Sequence, residues 1–325
     1  MTGGTVTHWK KVGACLVLML LVTGASAQSY PAKPIRLIAP YGSGGATDIV
    51  CRVLAQALSE TIGQQVFVDN RPGAGAVIGT NALAKSAPDG YTIMMADIAH
   101  GANVALHSKL PYDSVKDFAP VTLVAVLPTV LLVNPAVPAT NVKELIELAK
   151  ARPGQLNFSS SGIGSSSHLA GELFKAETGI DIVHVPYKGG GESMSALLAG
   201  DVQVLFITLP AALPHIRAGK VRVLSVSSAR RMPALPEVPT LAEQGMARAE
   251  VSLWMGILAP AGTPREIVTR LNSEFTRVLA TPAVRQRIAD LGGDVVASTP
   301  EQLARHIGAE VSRWGQTIKP EMRVD

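Results

Sequence analysis

The sequence predicts an α/β protein of two domains, each a mostly parallel sheet flanked by helices. Three observations predict it. Short apolar runs alternate with helical stripes along most of the chain, the pattern of strand–helix units. Glycine-rich strand-to-helix turns occur in both halves. About 300 residues remain once an N-terminal address segment is set aside, and roughly 100–200 residues per domain makes that enough for two.

The address segment comes first. Lys10 and Lys11 precede the apolar run Val12 to Val22, and Ala25-Ser26-Ala27 then supplies a small-x-small cleavage site. That order is a secretory signal peptide, with cleavage expected after Ala27. The apolar run is well short of the roughly 20 residues a spanning helix needs. Cys15 precedes most of that run, where no lipoprotein cysteine would sit. Cleavage removes two lysines, no acid and Cys15, leaving a near-neutral chain with Cys51 alone, so no intramolecular disulfide is expected. Scattered basic residues and 4% aromatic content give no footprint for nucleic acid.

The elements follow in order. Ile35–Ala39 reads as a strand, and Asp48 to Ile62 carries a helical stripe of Ile49, Val50, Val53, Leu54, Ala57, Leu58 and Ile62. Val66–Val68 and Tyr91–Ala96 read as strands on either side of the turn "NRPGAGAVIG". Further strands fit at Val121–Val126, Val130–Val133, Leu156–Ser159, Ile182–Val185, Val202–Ile207, Val221–Val226 and Val251–Leu258. Thr263-Pro264, Thr281-Pro282 and Thr299-Pro300 each place a capping hydroxyl before a proline, signalling three helix starts. Thr263 with Glu266 and Thr299 with Gln302 complete capping boxes. The last helix aligns Leu303, Ile307, Val311, Trp314 and Ile318. Proline clusters near Leu127–Pro138 and at 232–245 mark linear domain boundaries.

Several chemistries are excluded. In "PYGSGGATD" (40–48) Gly45 is followed by Ala46-Thr47-Asp48, without the lysine and hydroxyl of a Walker loop. Thr47 stands where a dinucleotide fingerprint needs its third glycine. G-x-S-x-G and H-E-x-x-H are absent, and the seven histidines show no metal-ligand spacing. Cys51 lies on a helical stripe as a small buried residue, and Lys188 precedes its glycines in the reverse of a phosphate-binding order. No cofactor or metal is expected.

What remains is a glycine-rich helix start, whose unpaired N–H groups carry partial positive charge and can hold a carboxylate. "NFSSSGIGSSSHLAGELF" (157–174) repeats the strand–loop–helix order in the other half and adds hydroxyl donors from Ser159 to Ser167. "VPYKGGGES" (185–193) is a third glycine-rich strand exit. Sites in parallel α/β sheets gather at such carboxyl ends of strands. Two loops facing each other across a cleft would clamp an anion without catalytic machinery. The competing reading is an exported hydrolase using a serine of 159–167 with His168 or His184.

The stretches "YPAKPIRLIAPYGSGGATDIVCRVLAQALSE", "VFVDNRPGAGAVIGTNALAKSAPDGYTI", "LPYDSVKDFAPVTLV", "SSSHLAGELF", "HVPYKGGGESMSALLAGDVQVLF", "LPAALPHIRAGKVRVLSV" and "PALPEVPTLAEQG" resemble the tripartite tricarboxylate transporter solute receptors, the Bug family. The resemblance runs from about Tyr30 to the C-terminus with its motifs in order. It implies a periplasmic binding protein of the Venus-flytrap type, two α/β domains joined by hinge strands. It would act as a monomer that closes over a small carboxylate-bearing ligand and delivers it to integral membrane permease subunits or presents it to a sensor kinase. The first domain would then be discontinuous, 28–127 plus 229–325, with 128–228 as the second and 1–27 as signal peptide. The segment 232–245 becomes a return crossover.

Carried over from the resemblance, the first-loop contacts are Tyr41, Gly42, Ser43, Gly44, Gly45 and Ala46. The loop after the third strand corresponds to Asp97, Ile98 and His100. Second-domain contacts correspond to Ser160, Ser161, Gly162, Ser165, Ser166, His168, Tyr187 and Lys188. Two departures stand out. Gly42-Ser43 replaces the proline-proline or proline-glycine usual before Gly-Gly. Ile207 stands where many members carry an aspartate that could receive a ligand amine. Ile207 cannot, so the ligand expected here lacks an ammonium group near that wall.

Overall fold

In a computed structural model, residues 30–228, 230–318 and 322–324 are described, and the signal peptide expected at 1–27 lies outside them. Lys33–Asp325 forms one compact unit. It contains ten strands and ten helices, β1 (Ile35–Ala39), α1 (Ala46–Ile62), β2 (Val66–Asn70), α2 (Val77–Ala84), β3 (Thr92–Asp97), α3 (Ile98–Leu106) and β4 (Phe118–Val133) among the described residues of the first stretch. The second stretch runs α4 (Val142–Ala151), β5 (Asn157–Ser160), α5 (Ser166–Thr178), β6 (Val183–Pro186), α6 (Gly190–Ala199), β7 (Val204–Thr208), α7 (Leu209–Arg217) and β8 (Arg222–Ser227). The third holds β9 (Ser252–Pro260), α8 (Arg265–Leu279), α9 (Pro282–Asp290), β10 (Asp294–Val295) and α10 (Pro300–Thr317).

The strands pair in the order β2-β1-β3-β9-β4-β7-β5-β6, with β8 and β10 also on β4. Each wing is parallel: β1 pairs β2 and β3, and β5 pairs β6 and β7. The centre is antiparallel, where β9 lies between β3 and β4. The chain thus returns after β8 to complete the sheet it began with. β4 serves both halves: 118–128 pairs with β9, and Thr129–Val133 with β7 and β8.

The inner strands are covered on both faces, whereas the edge strands β2 and β6 are partly exposed. Leu37, Ile38, Ile93, Met94, Leu131, Leu132 and Phe206 are each at most 1% exposed. Burying such a side chain fully stabilises by about 1.5–3 kcal/mol. Val121–Val126 and Val130–Val133 are one strand, not the two expected. Pro128 interrupts the sequence pattern, yet Val126, Leu127 and Pro128 pair with Trp254, Leu253 and Ser252 in unbroken register; the strand's shifts against β9 lie earlier, between Pro120 and Thr122 and between Leu123 and Ala125.

Helix ends follow the expected chemistry with one exception. Thr299 and Gln302 form a complete capping box, and Thr281 accepts from the Val284 N–H. The Thr263–Glu266 box does not form: Pro264 occupies the cap position of α8, and the Thr263 hydroxyl turns back to donate to the Pro260 carbonyl at 2.8 Å. α10 packs on α3 through Glu310, whose Oε2 accepts from the indole N–H groups of Trp254 and Trp314 at 3.1 Å each. A Cβ on Gly101 would stand 2.9 Å from Glu310 Cβ, so glycine permits that approach. The C-terminal helix thereby fixes the helix that follows β3. No helix among the described residues is long and apolar enough to cross a membrane.

Candidate ligand-binding loops

Several helices begin within a few residues of a parallel strand's carboxyl end, among them α1 after β1, α3 after β3, α5 after β5, α6 after β6 and α7 after β7. Each start presents N–H groups without intrahelical acceptors. The loop at 41–45 joins β1 to α1, with Gly45 as a cap lacking any side chain. Cβ atoms placed on Gly42, Gly44 or Gly45 would meet nothing within 4 Å, so this loop has an open outer face.

Asp48 shapes the loop from behind. It is 2% exposed and accepts hydrogen bonds from the Gly44 N–H at 2.9 Å, Arg52 Nε at 3.0 Å and Asn70 Nδ2 at 2.9 Å. Burial alone would raise its pKa, yet the bonds from Arg52, Gly44 and Asn70 together hold it below the ordinary carboxylate value. The Gly44 amide is therefore engaged inside the protein, and its φ of +87° is one that glycine adopts without strain. Asn70 also donates to the Tyr41 carbonyl at 3.0 Å, tying the loop to the end of β2.

Tyr41 links this loop to the next. Its hydroxyl donates to Asp97 Oδ1 at 3.0 Å, and the same oxygen caps α3 by accepting the Ala99 N–H. Burial raises the Asp97 pKa to about 6 against the opposing pull of Tyr41 and Ala99. Burial and the neighbouring Asp97 hold the Tyr41 phenol well above its usual value, so it remains a donor. Ile98 is buried at 1% exposure. His100 turns away from the loop: its Nε2 meets the Ser114 carbonyl at 2.8 Å, and its ring packs among Tyr112 and Phe118. Burial depresses its pKa to about 4, leaving it neutral.

The serine loop of the second half is internally bonded. Ser165 caps α5, accepting from the His168 N–H at 3.3 Å while its hydroxyl donates to the Gly162 carbonyl. Ser167 accepts the Ser161 N–H at 2.9 Å. Ser160 Oγ accepts the Gly162 N–H at 3.1 Å and lies 2.7 Å from His184 Nε2. His168 Nδ1 accepts the Gly164 N–H at 3.2 Å, which places its proton on Nε2. The His168 and His184 rings lie 4.3 Å apart. Burial, His184 and Lys175 depress His168 to about 3; burial and Lys175 depress His184 to about 4. Ser166 is the first residue of α5 and half-buried.

The third loop leans on the serine loop. The Tyr187 N–H donates to the Ser160 carbonyl at 3.0 Å, and Lys188 is exposed, with its N–H directed at Glu192. A Cβ on Gly190 would touch Ile207 Cδ1 at 3.4 Å and Ser161 Oγ at 3.5 Å. Ile207 is 3% exposed and otherwise packed in an apolar cluster with Val130, Leu205 and Met194.

Tyr41, Asp97 and the 41–46 loop therefore sit together, as do Ser160, Ser161, Gly162, Ser165, His168, Tyr187 and Ile207. Sequence reasoning missed Asn70 and Asn103. Asn103 Nδ2 donates to the Gly75 carbonyl at 2.7 Å, beneath the place where Gly75 of the 73–76 turn meets Gly164 of the serine loop. The asparagine ending "VFVDN" and the asparagine–glycine pairing have no local signature. Among the described residues no three His, Cys, Asp or Glu side chains group to hold a metal.

The chemistry gathered here is that of amides, hydroxyls and neutral imidazoles at helix starts, the equipment of a binding protein. Residues 50–322 match the tripartite tricarboxylate transporter family receptor. The protein BugT of Bordetella pertussis is 39% identical over 310 residues, covering 95% of each chain. The solved structure of R. palustris Rpa4515 with adipate superimposes with a TM-score of 0.83 at 37% identity, over 89% of this chain and 97% of that one. MatC from Rhodopseudomonas palustris with bound malate gives a TM-score of 0.83 at 34% identity, over 89% and 100%. The chain belongs to the tripartite tricarboxylate transporter receptor family.

Proposed function

We propose that this receptor is exported by cleavage after Ala27 and works in the periplasm. It closes over a small di- or tricarboxylate or an aromatic acid and delivers it to a membrane permease. One observation carries the reading: two glycine- and serine-rich helix starts, 41–46 and 160–167, come from opposite halves of the sheet, and Gly75 brings those halves into contact at Gly164. A ligand touching both loops favours the closed arrangement by its differential affinity. The adipate and malate held by two structural relatives support a carboxylate ligand here. The domains are 28–127 plus 229–325 and 128–228, with β4, which pairs in both, as a hinge strand.

Ile207 sets a preference within that class. An apolar side chain under Gly190 cannot pair with an ammonium group, so plain acids bind better than their amino derivatives. A thermal-shift panel of acids and their α-amino analogues tests this; amino acids stabilising the protein more than deaminated partners would refute it.

One contact favours a second reading. Ser160 Oγ and His184 Nε2 are 2.7 Å apart, as in a nucleophile–base pair. Against it, Ser160 is 0% exposed, and neither His184 nor His168 is hydrogen-bonded to a carboxylate among the described residues. Fluorophosphonate treatment should leave the protein unlabelled; labelling at Ser160 would establish a hydrolase.

A further inference from the structure

We propose that Asn103 is the positioning residue for closure. It holds the 73–76 turn of the first half so that Gly75 abuts Gly164 of the serine loop, and that contact sets how closely the two ligand loops approach. The inference rests on the receptor reading above and assigns that site a closure stop.

The turn needs a restraint. Gly73, Ala74, Gly75 and Ala76 all have positive φ, at 130°, 47°, 57° and 75°. Alanine adopts such angles only where its surroundings impose them. Asn103, 1% exposed on α3, provides a side-chain bond that does so, donating to the Gly75 carbonyl at 2.7 Å. Because a carbonyl can only accept, the amide orientation is fixed: Nδ2 faces Gly75 and Oδ1 faces the other way.

Oδ1 faces the second half. A Cβ on Gly164 would stand 3.3 Å from Asn103 Oδ1 and 3.7 Å from Gly75 Cα. A Cβ on Gly75 would stand 3.0 Å from the Ile163 carbonyl oxygen. The halves therefore meet backbone to backbone, at a separation that only glycines allow. Oδ1 itself makes no full hydrogen bond, and the Tyr112 hydroxyl, also unpartnered, approaches the same amide. Asn103 thus touches both sides of the contact, bonding Gly75 in the first half and facing Gly164 in the second.

The test compares Asn103→Asp, which keeps the shape but loses the Nδ2 donor, with Asn103→Ala. Hydrogen exchange of the purified protein is followed by mass spectrometry, and adipate dissociation by stopped flow. Faster exchange is expected in 73–77 and, across the contact, in 162–168. The adipate off-rate should rise roughly three- to tenfold, the loss of one net hydrogen bond, with the on-rate within about twofold. Faster exchange confined to 73–77 with an unchanged off-rate overturns the proposal. So does a uniform rise along the whole chain, which would mark general packing. If wild-type protein binds no adipate yet exchange in 162–168 still rises in the variants, the closure stop stands and adipate is excluded as the ligand.

Discussion

Asp97 links the first loop to the start of α3. It shares one oxygen between the Tyr41 hydroxyl and the Ala99 N–H, and burial raises its pKa to about 6. An unfolded aspartate titrates near 3.9. A group whose folded pKa is raised contributes stability that is full below about pH 4 and is lost as pH rises through about 6. Asparagine can accept both bonds through its own Oδ1 without ionising. Asp97→Asn should therefore flatten the pH dependence of Tm between pH 4 and 7 and stabilise the protein at pH 7 by roughly 1–3 kcal/mol. Thermal denaturation across that range checks it; a variant less stable at pH 7 contradicts it. The open outer face of the first loop gives a second expectation. A Cβ on Gly42 meets nothing within 4 Å, so in Gly42→Leu the Tm should hold while ligand affinity falls at least tenfold by calorimetry.

At the scale of elements, α5 places the serine loop by lying against β5. A Cβ on Gly171 would come 2.2 Å from Phe158 Cε2, closer than the packed ring tolerates. Gly171→Ala should push α5 off β5, destabilise by about 1–3 kcal/mol as overpacking does, and weaken ligand binding through the displaced Ser165 and Ser167. Denaturant unfolding and titration of the same variant measure both effects, and a variant with native affinity would separate α5 placement from the site. α10 gives a simpler case: Thr299→Ala removes half of its capping box and should cost about 1 kcal/mol without altering affinity.

The sequence is informative about these elements where the cause is local. β1 was legible to the residue because Ile35–Ala39 is buried and continuous, and Thr299 announced α10 through a spacing of three. The sequence splits β4 in two because Pro128 looks like a break, whereas Pro128 pairs opposite Ser252 without any shift of register. The glycine and serine loops were legible as strand exits, while their partners were not. Asn70 reaches Asp48 across 22 residues and Asn103 reaches Gly75 across 28. Such pairings are set by which strands become neighbours, and no period or cap in the sequence records that. His100 shows the converse: carried over to the site by resemblance, its ring is turned to Ser114 by a bond and an aromatic cluster formed with residues 112–118.

For the whole molecule, β4 is continuous through both halves. In the closure proposed above, a small twist along it would move the serine loop relative to the 41–46 loop without breaking the pairing on either side. The helix starts at its two sides offer donors and partial positive charge, which favour ionised carboxylate oxygens over the neutral carbonyls of esters. The measurement that tests this most directly is calorimetric titration of the purified protein with a series of dicarboxylic acids, adipate and malate included, alongside their dimethyl esters. The account predicts saturable binding of at least one diacid and at least a hundredfold weaker binding of its diester. Diester binding as tight as the diacid, or no binding by any acid in the series, would contradict it.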